Sequence, residues 1–139
     1  MASDSSNAQY DSWLTAYLSR NGGVSGTVHA VSGEALVLMA AVNIPPKVMP
    51  AIERIPKGKG MAGLAWSRAE PVKTCNLQED TSGDIRPGAK AVEVTAALAF
   101  PVFDAAKQVR ATVGIGYTAP REFSDAELAK LLTDAASLP

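Results

Sequence analysis

The chain has 139 residues, 47% of them hydrophobic, which is enough to fill the core of one folded domain and excludes global disorder. The net charge of −1 excludes a general attraction to nucleic acid or anionic membranes, and no apolar run is long enough to span a bilayer. The only cysteine, Cys75, excludes an intrachain disulfide framework, and the polar start does not resemble a signal peptide, so a cytoplasmic location is expected.

The first predicted element is a helix that follows a short flexible segment. We expect residues 1–7 to be flexible and residues 8–139 to form a single domain. Ser6 or Asn7 can cap the helix, and Gly22 with Gly23 can end it. Apolar residues with helical spacing form its buried face: Tyr10, Trp13, Leu14, Tyr17 and Leu18.

A β-hairpin is predicted next. The segment VSGTVHAV alternates, and the side that carries Ser25, Thr27 and His29 is expected to face solvent. The pair Ser32–Gly33 is a turn signal, and the apolar run ALVLMAAV after it predicts the second strand.

The middle of the chain predicts short elements separated by breakers. Residues 47–55 favour a helix of one or two turns, because Pro50 limits its length. The segment MAGLAWSRA predicts a second short helix, and VKTCNL predicts a short strand. Residues 78–91 are polar, contain glycine and proline, and predict a loop.

The C-terminal part predicts a second hairpin followed by a helix. The hairpin pairs AALAFPVF with QVRATVGIGY, and Pro101 indicates an irregular or edge-like position in the first of these strands. Ser124 and Glu127 form a capping box, with Phe123 and Leu128 as its hydrophobic staple. Close strand pairs flanked by helices predict an α+β domain with an antiparallel sheet.

The segment GKGMAG raises a separate question. Gly58, Gly60 and Gly63 match the G-x-G-x-x-G pattern of dinucleotide-binding folds, with Glu79 and Asp80 about twenty residues beyond. That pattern works between a buried parallel strand and a crossover helix. Here the preceding residues are charged and broken by proline, and a short strand and a polar loop follow. We therefore interpret the glycines as shaping a tight turn against which a helix packs closely.

These motifs, in this order, resemble the GAF domain family. The resemblance is carried by LVLMAAVNIP, IPKGKGMAGLAWSRAEPVKTCNLQED, AALAFPVFDAAKQVRATVGIGY and REFSDAELAKLL, and it covers about residues 8–137. It implies a GAF-like (PAS-like) antiparallel sheet of five to six strands, with the terminal helices on one face. On the other face, the short helices and the polar loop would cover a ligand pocket.

Carried over position by position, the resemblance implies a set of pocket walls. They lie on the second strand, the helix after the glycine turn, the third strand and the polar loop: Met39, Met61, Leu64, Trp66, Cys75, Leu77, Asp80, Ile85, Arg86 and Val92. Two alternatives stay open from the residues themselves. Trp66 either stacks on a ligand or fills the core, and the charges of the loop, such as Arg86 and Asp80, either orient a polar ligand or are simply solvated.

Cys75 is the one candidate catalytic residue. The chain also resembles the free methionine-(R)-sulfoxide reductases. These are GAF proteins that use a catalytic cysteine together with resolving cysteines. Cys75 has no second cysteine to resolve it, and His29, the only histidine, lies on a distant predicted strand. We therefore interpret Cys75 as an unreactive core residue and keep the reductase as the alternative function.

No cofactor or metal is expected. One histidine and one cysteine do not supply a zinc or haem ligand set. The bilin and cyclic-nucleotide sites of some GAF domains need sequence patterns that this chain lacks. Two interpretations of the glycine turn stay open. Either a small anion binds between Lys57 and Lys59, at the start of the helix that follows, or the turn is simply solvated.

The expected function is that of a non-catalytic sensory or regulatory module. It would bind an unknown small molecule, a signalling protein, or both, and a pure interaction module without a ligand is a further alternative. The basic segment 47–73 has six Lys or Arg against two Glu but no aromatic ladder, so nucleic acid is not expected. The resemblance also implies a homodimer through the terminal helices, against a monomer whose helices cover their own sheet.

Overall fold

The computed structural model describes residues 2–74, 96–118 and 123–139. The elements follow the order α1 (Ala2–Asn21), β1 (Ser25–Ser32), β2 (Ala35–Val42), α2 (Met49–Ile52), β3 (Arg54–Pro56), α3 (Gly60–Arg68), β4 (Val72–Thr74), β5 (Ala96–Phe103), β6 (Val109–Tyr117) and α4 (Asp125–Ala135). None of the described helices is both long and apolar enough to cross a membrane.

The described strands form one six-stranded sheet with the order β3-β2-β1-β6-β5-β4. Every pair of neighbouring strands is antiparallel. The two predicted hairpins, β1–β2 and β5–β6, meet in the centre, where β1 pairs with β6. The α+β class and the antiparallel sheet are therefore confirmed.

One face of the sheet carries the terminal helices and the main core. Leu14 and Tyr17 of α1 are fully buried, and Leu131 and Ala135 of α4 are buried beside them. The Tyr17 hydroxyl donates to the carbonyl oxygen of Leu131 at 2.9 Å. The predicted apolar stripes of both helices therefore pack on their own sheet.

The predicted cap of the C-terminal helix α4 is present, whereas the predicted start of the N-terminal helix α1 is not. At the start of α4, the Glu127 amide donates to the Ser124 hydroxyl at 3.1 Å, and the Ser124 amide donates to Glu127 Oε1 at 3.2 Å, so the capping box is confirmed. In contrast, α1 begins at Ala2, so Ser6 and Asn7 lie within the helix and not at its start, where the capping prediction placed them.

The strand β3 is an element that the sequence did not predict. Ile55 pairs with Leu36 of β2, and both side chains are buried in a cluster with Trp66 of α3. The three residues of β3 are too few to show a periodicity, so their pairing depends on contacts made in the folded chain. The predicted strand VKTCNL is described only over Val72–Thr74, and the remainder lies outside the described residues.

Candidate functional site

A cavity of about 150 Å³ lies between the sheet and the short helices α2 and α3. The sheet forms its floor, and α2, α3 and the segment after β2 form its roof. The residues that line it are Ser25, Gly26, Thr27, Ile44, Val48, Ile52, Met61, Ala62, Ala97, Leu98, Ala99, Gly114, Ile115 and Gly116.

The floor of the cavity consists of small residues in two cross-strand rows. In the first row, Gly116 of β6 lies opposite Ser25 of β1 and Ala97 of β5. In the second, Gly114 lies opposite Thr27 and Ala99 in the same way, two residues further along each strand. Since alternate residues of a strand point to the same face, both rows lie on one side of the sheet. Six small residues on neighbouring positions leave the space that the cavity occupies.

The roof is apolar. Val48 is buried, and Ile44 and Ile52 also line the cavity. Met61 and Ala62, in the first turn of α3, complete the roof. The only polar side chains among the described lining residues are the hydroxyls of Ser25 and Thr27. This part of the wall therefore favours an uncharged, mainly apolar molecule.

His29 lies on the same face of the sheet and is buried, which corrects the prediction that this side of β1 faces solvent. His29 is 2% exposed and Ser25 is 4% exposed, because α2 and the segment before it cover this face. The His29 Nε2 atom lies 2.8 Å from the carbonyl oxygen of Ile52 in α2. Burial lowers the pKa of His29 below its usual value, so the ring is neutral at pH 7.

Two buried polar atoms of this face have no hydrogen-bond partner among the described residues. They are His29 Nδ1 and Thr112 Oγ1. His29 and Thr112 are directly opposite each other on β1 and β6, one row beyond Thr27 and Gly114. Neither residue is among those that line the cavity.

The glycine motif shapes the turn that leads into α3. Gly58 and Gly60 have φ angles of +83° and +67°, which favour glycine, and a Cβ on Gly63 would lie 2.8 Å from the carbonyl oxygen of Pro56. The turn follows β3, which is a short antiparallel edge strand and not a buried parallel one. The prediction that the three glycines serve a tight turn and a closely packed helix is thus confirmed.

Of the four predicted wall residues that the structure describes, one lines the cavity. Met61 does so from the start of α3. Leu64 packs beside the buried Ala65, and Trp66 packs in the cluster with Leu36 and Ile55, so the tryptophan fills the core. The Nζ atom of Lys57 lies 5.0 Å from the centroid of the Trp66 ring.

Met39 lies on the opposite face from the cavity. The register of β1 and β2 shifts between Val28 and His29, which pair with Ala40 and Leu38, so Met39 is an extra residue in β2. Its side chain packs against the main core beneath the terminal helices. The other predicted walls lie outside the described residues: Cys75, Leu77, Asp80, Ile85, Arg86 and Val92.

The sequence interpretation missed most of the floor, although a signal for it was present. Small residues alternate in all three floor strands, as Ser25-Gly-Thr27, Ala97-Leu-Ala99 and Gly114-Ile-Gly116. Such a pattern places small side chains on a single face. Nothing in one strand alone shows that the three sets are neighbours.

Polar contacts of the terminal helices lie at a different place, where α1 meets α4. Arg20 donates to both carboxylate oxygens of Asp134, at 2.8 and 3.1 Å, and Asn21 donates to the same carboxylate at 2.9 Å. These hydrogen bonds lower the pKa of Asp134, mainly through Arg20. No group of three or more potential metal ligands comes together within the described part of the chain.

Comparison with known proteins agrees with this architecture. The model of the GAF domain family matches residues 14–138. The chain is similar in structure to the GAF domain of a phosphoenolpyruvate-protein phosphotransferase from Acinetobacter, with 20% identity, a TM-score of 0.75 and coverage of 95% of this chain and 78% of that one. The corresponding domain from Coxiella burnetii has 18% identity and a TM-score of 0.77, over 95% of this chain and 79% of that one.

An enzyme is among the similar structures as well. A type II free methionine-R-sulfoxide reductase from Thermoplasma acidophilum has 16% identity and a TM-score of 0.76, over 99% of this chain and 94% of that one. Comparison with curated proteins finds no match. Identities this low show a shared fold alone, whereas the family model covers most of the sequence. The chain therefore belongs to the GAF domain family.

Proposed function

We propose that this GAF domain is a non-catalytic sensory or regulatory module that binds a small molecule in the cavity between the sheet and helices α2 and α3. The observation that supports the proposal is the cavity floor, which six small residues of β1, β5 and β6 form beneath an apolar roof. A well-packed domain leaves few voids, so a cavity that three strands open together at neighbouring positions is consistent with a ligand site.

A screen of metabolites by thermal denaturation tests this proposal. A ligand at a hundred times its Kd adds about 2.7 kcal/mol to the free energy of unfolding and raises the melting temperature accordingly. Mass spectrometry of molecules that co-purify with the chain gives an independent list of candidates. If no compound of a broad library raises the melting temperature and no molecule co-purifies, the chain is instead a pure interaction module with an unoccupied cavity.

The second candidate is an enzyme that reduces free methionine-(R)-sulfoxide with Cys75 as the nucleophile. The similarity to the Thermoplasma acidophilum reductase, which includes 94% of that chain, is the observation that favours it. Against it, the described cavity wall has no charged side chain to pair with the ammonium and carboxylate groups of an amino acid. The chain also has no second cysteine to resolve an oxidised Cys75.

An activity assay separates the two candidates. Free methionine-(R)-sulfoxide is supplied with an external thiol, and turnover is compared between the wild type and Cys75→Ser. We expect the same background rate for both proteins. A rate that depends on Cys75 would establish the reductase and refute the non-catalytic proposal.

Dimerisation is a separate part of the proposed function. The apolar stripes of α1 and α4 pack on their own sheet, with Leu14 and Tyr17 fully buried, so a homodimer would have to use the outer faces of these helices. Light scattering coupled to size-exclusion chromatography measures the mass directly. If the chain is a monomer at all concentrations, the homodimer is refuted, and a signalling protein is the partner to seek.

A further inference from the structure

Two hydroxyl groups on the cavity floor have no hydrogen-bond partner among the described residues. They belong to Ser25 and Thr27, which point to the same face of β1 and form a polar strip along one side of the floor. Ser25 is only 4% exposed, and Thr27 is partly buried. A buried hydroxyl without a partner destabilises the fold, so a partner for the polar strip is expected inside the cavity.

The oxygen atoms of the polar strip are within reach of a molecule in the cavity. Thr27 is directly opposite Gly114 of β6, and its Oγ1 atom lies 2.9 Å from the point where a Cβ on Gly114 would be. This hydroxyl therefore extends over the floor at a position that glycine leaves without a side chain. Among the described residues, only His29 Nδ1 and Thr112 Oγ1 are both unpaired and sealed from a water-sized molecule, so the oxygens of the polar strip keep accessible surface.

The chemistry of the wall defines which groups of a ligand the polar strip can bind. Serine and threonine hydroxyls both donate and accept hydrogen bonds, so they pair with a hydroxyl group or with a carbonyl oxygen. The described cavity wall has no charged side chain, and its roof is apolar. A charged group would lose its hydration here without gaining a counter-ion, whereas a neutral oxygen would exchange water for a hydroxyl of the polar strip.

We infer that the ligand of this cavity is an uncharged molecule of about single-ring size that carries a hydroxyl or carbonyl group. The oxygen of this group hydrogen-bonds to the polar strip, and the apolar remainder lies beneath the roof of Val48, Ile52 and Met61. This inference rests on the proposed function, because it assigns a chemical class to the ligand of the same cavity. The size agrees, since cavities of about 150 Å³ bind single-ring molecules such as benzene.

Phenol and toluene test the inference, because they differ only in a hydroxyl group that replaces a methyl group. We compare the ratio of their Kd values in the wild type and in the double variant Ser25→Ala/Thr27→Val, which removes both hydroxyls of the polar strip. The control is Ser19→Ala/Thr133→Val, which makes the same two changes on exposed helix surfaces. Comparing ratios cancels the cost of removing the phenol hydroxyl from water. We expect the floor variant to shift the ratio by about 3- to 10-fold against phenol, and the control to leave it unchanged.

Two further measurements locate the probe and test its charge. Nuclear Overhauser effects from the phenol ring to the methyl groups of Thr27 and Met61 should place phenol in the cavity. Benzoate, which is an anion at pH 7, should bind at least 10-fold more weakly than phenol. Tighter binding of benzoate would mean that the start of α3, where Met61 and Ala62 line the cavity, holds an anion, and the uncharged class would be refuted. The floor variant should fold at least as stably as the wild type, because it removes unpaired hydroxyls.

The possible outcomes separate this inference from the proposed function. If phenol and toluene both bind in the cavity but the ratio of their Kd values is the same in the floor variant and the wild type, the polar strip does not contact the ligand. The inferred chemical class is then refuted while the cavity remains a binding site. If neither probe binds at concentrations approaching saturation, the cavity takes no small molecule of this size, and the proposed function fails together with the inference.

Discussion

A larger side chain on the cavity floor should stabilise this protein and close the site. Ala97 lines the cavity from β5, opposite Gly116 of β6, where a β-branched residue suits the strand. Ala97→Ile adds about three carbon atoms, worth roughly 0.8 kcal/mol each when buried. Ordering the new side chain costs about 0.5–1 kcal/mol. The net gain is about 1.5 kcal/mol, or roughly 5 °C in melting temperature for a domain of this size.

Chemical denaturation and the binding of toluene, an apolar single-ring probe of the cavity, together test this expectation. Ala97→Ile should raise the denaturation midpoint without changing the slope and should weaken toluene binding, because its side chain occupies the same space. Ala97→Ser preserves the volume and should bind toluene as the wild type does. A loss of more than about 1 kcal/mol in Ala97→Ile would mean that the floor is already packed, and the cavity argument would be refuted.

Three further variants test other parts of the structure. Gly63→Ala should cost about 1–3 kcal/mol in chemical denaturation, because its Cβ would lie 2.8 Å from the Pro56 carbonyl oxygen, and unchanged stability would show that the turn can shift. Tyr17→Phe should cost about 1 kcal/mol in the same assay, because it removes the hydrogen bond that the buried hydroxyl donates to the Leu131 carbonyl oxygen, and a neutral effect would show that this bond adds no net stability. The pKa of His29 is lowered by burial, so the unfolded chain binds the proton first and stability should fall as the pH decreases below about 6.5. When the free energy of unfolding is measured at several pH values, it should depend less steeply on pH in His29→Gln than in the wild type. An equal dependence on pH in both proteins would contradict the burial of the ring.

Local signals in the sequence predicted most of the elements, because these elements depend on residues close together in the chain. The capping box of Ser124 and Glu127 needs only one turn of helix, and it is present as predicted. Each hairpin follows from one alternating run and one apolar run with a short turn between them. The strand β3 was not predictable in this way, since Ile55 becomes part of the sheet only by pairing with Leu36.

The candidate site was harder to predict, because it depends on the register between strands that are far apart in the sequence. Thr27 and Gly114 are neighbours on the floor, yet 87 positions separate them in the chain (114 − 27). The bulge in β2 had a similar effect. One extra residue places Met39 on the same side of the sheet as Ala40, its neighbour in the chain, and no sequence pattern marked it.

The position of His29 shows what alternation can and cannot indicate. The pattern of β1 correctly separated its two faces, with Val28 in the main core and His29 on the other side. It could not show which elements cover the polar face, because α2 reaches that face from a different part of the chain. Polar residues under such a cover are either paired or available to a ligand, and this distinction requires the structure.

A ligand in the cavity can influence the terminal helices only through the sheet, because the two lie on opposite faces. The alternation of β6 provides a short route. Gly114 and Gly116 lie on the floor, whereas Ile115 between them belongs to the main core, together with Leu18 of α1. Contacts of a ligand with the glycine backbone therefore act one residue away from the helix contacts. A sensor must bind its ligand differently in two states, so movement of β6 is the change to seek. Chemical shifts of Ile115 and Leu18 methyl groups should respond to a molecule bound in the cavity if the domain signals in this way. Shifts confined to the floor would indicate binding without transmission to the helices.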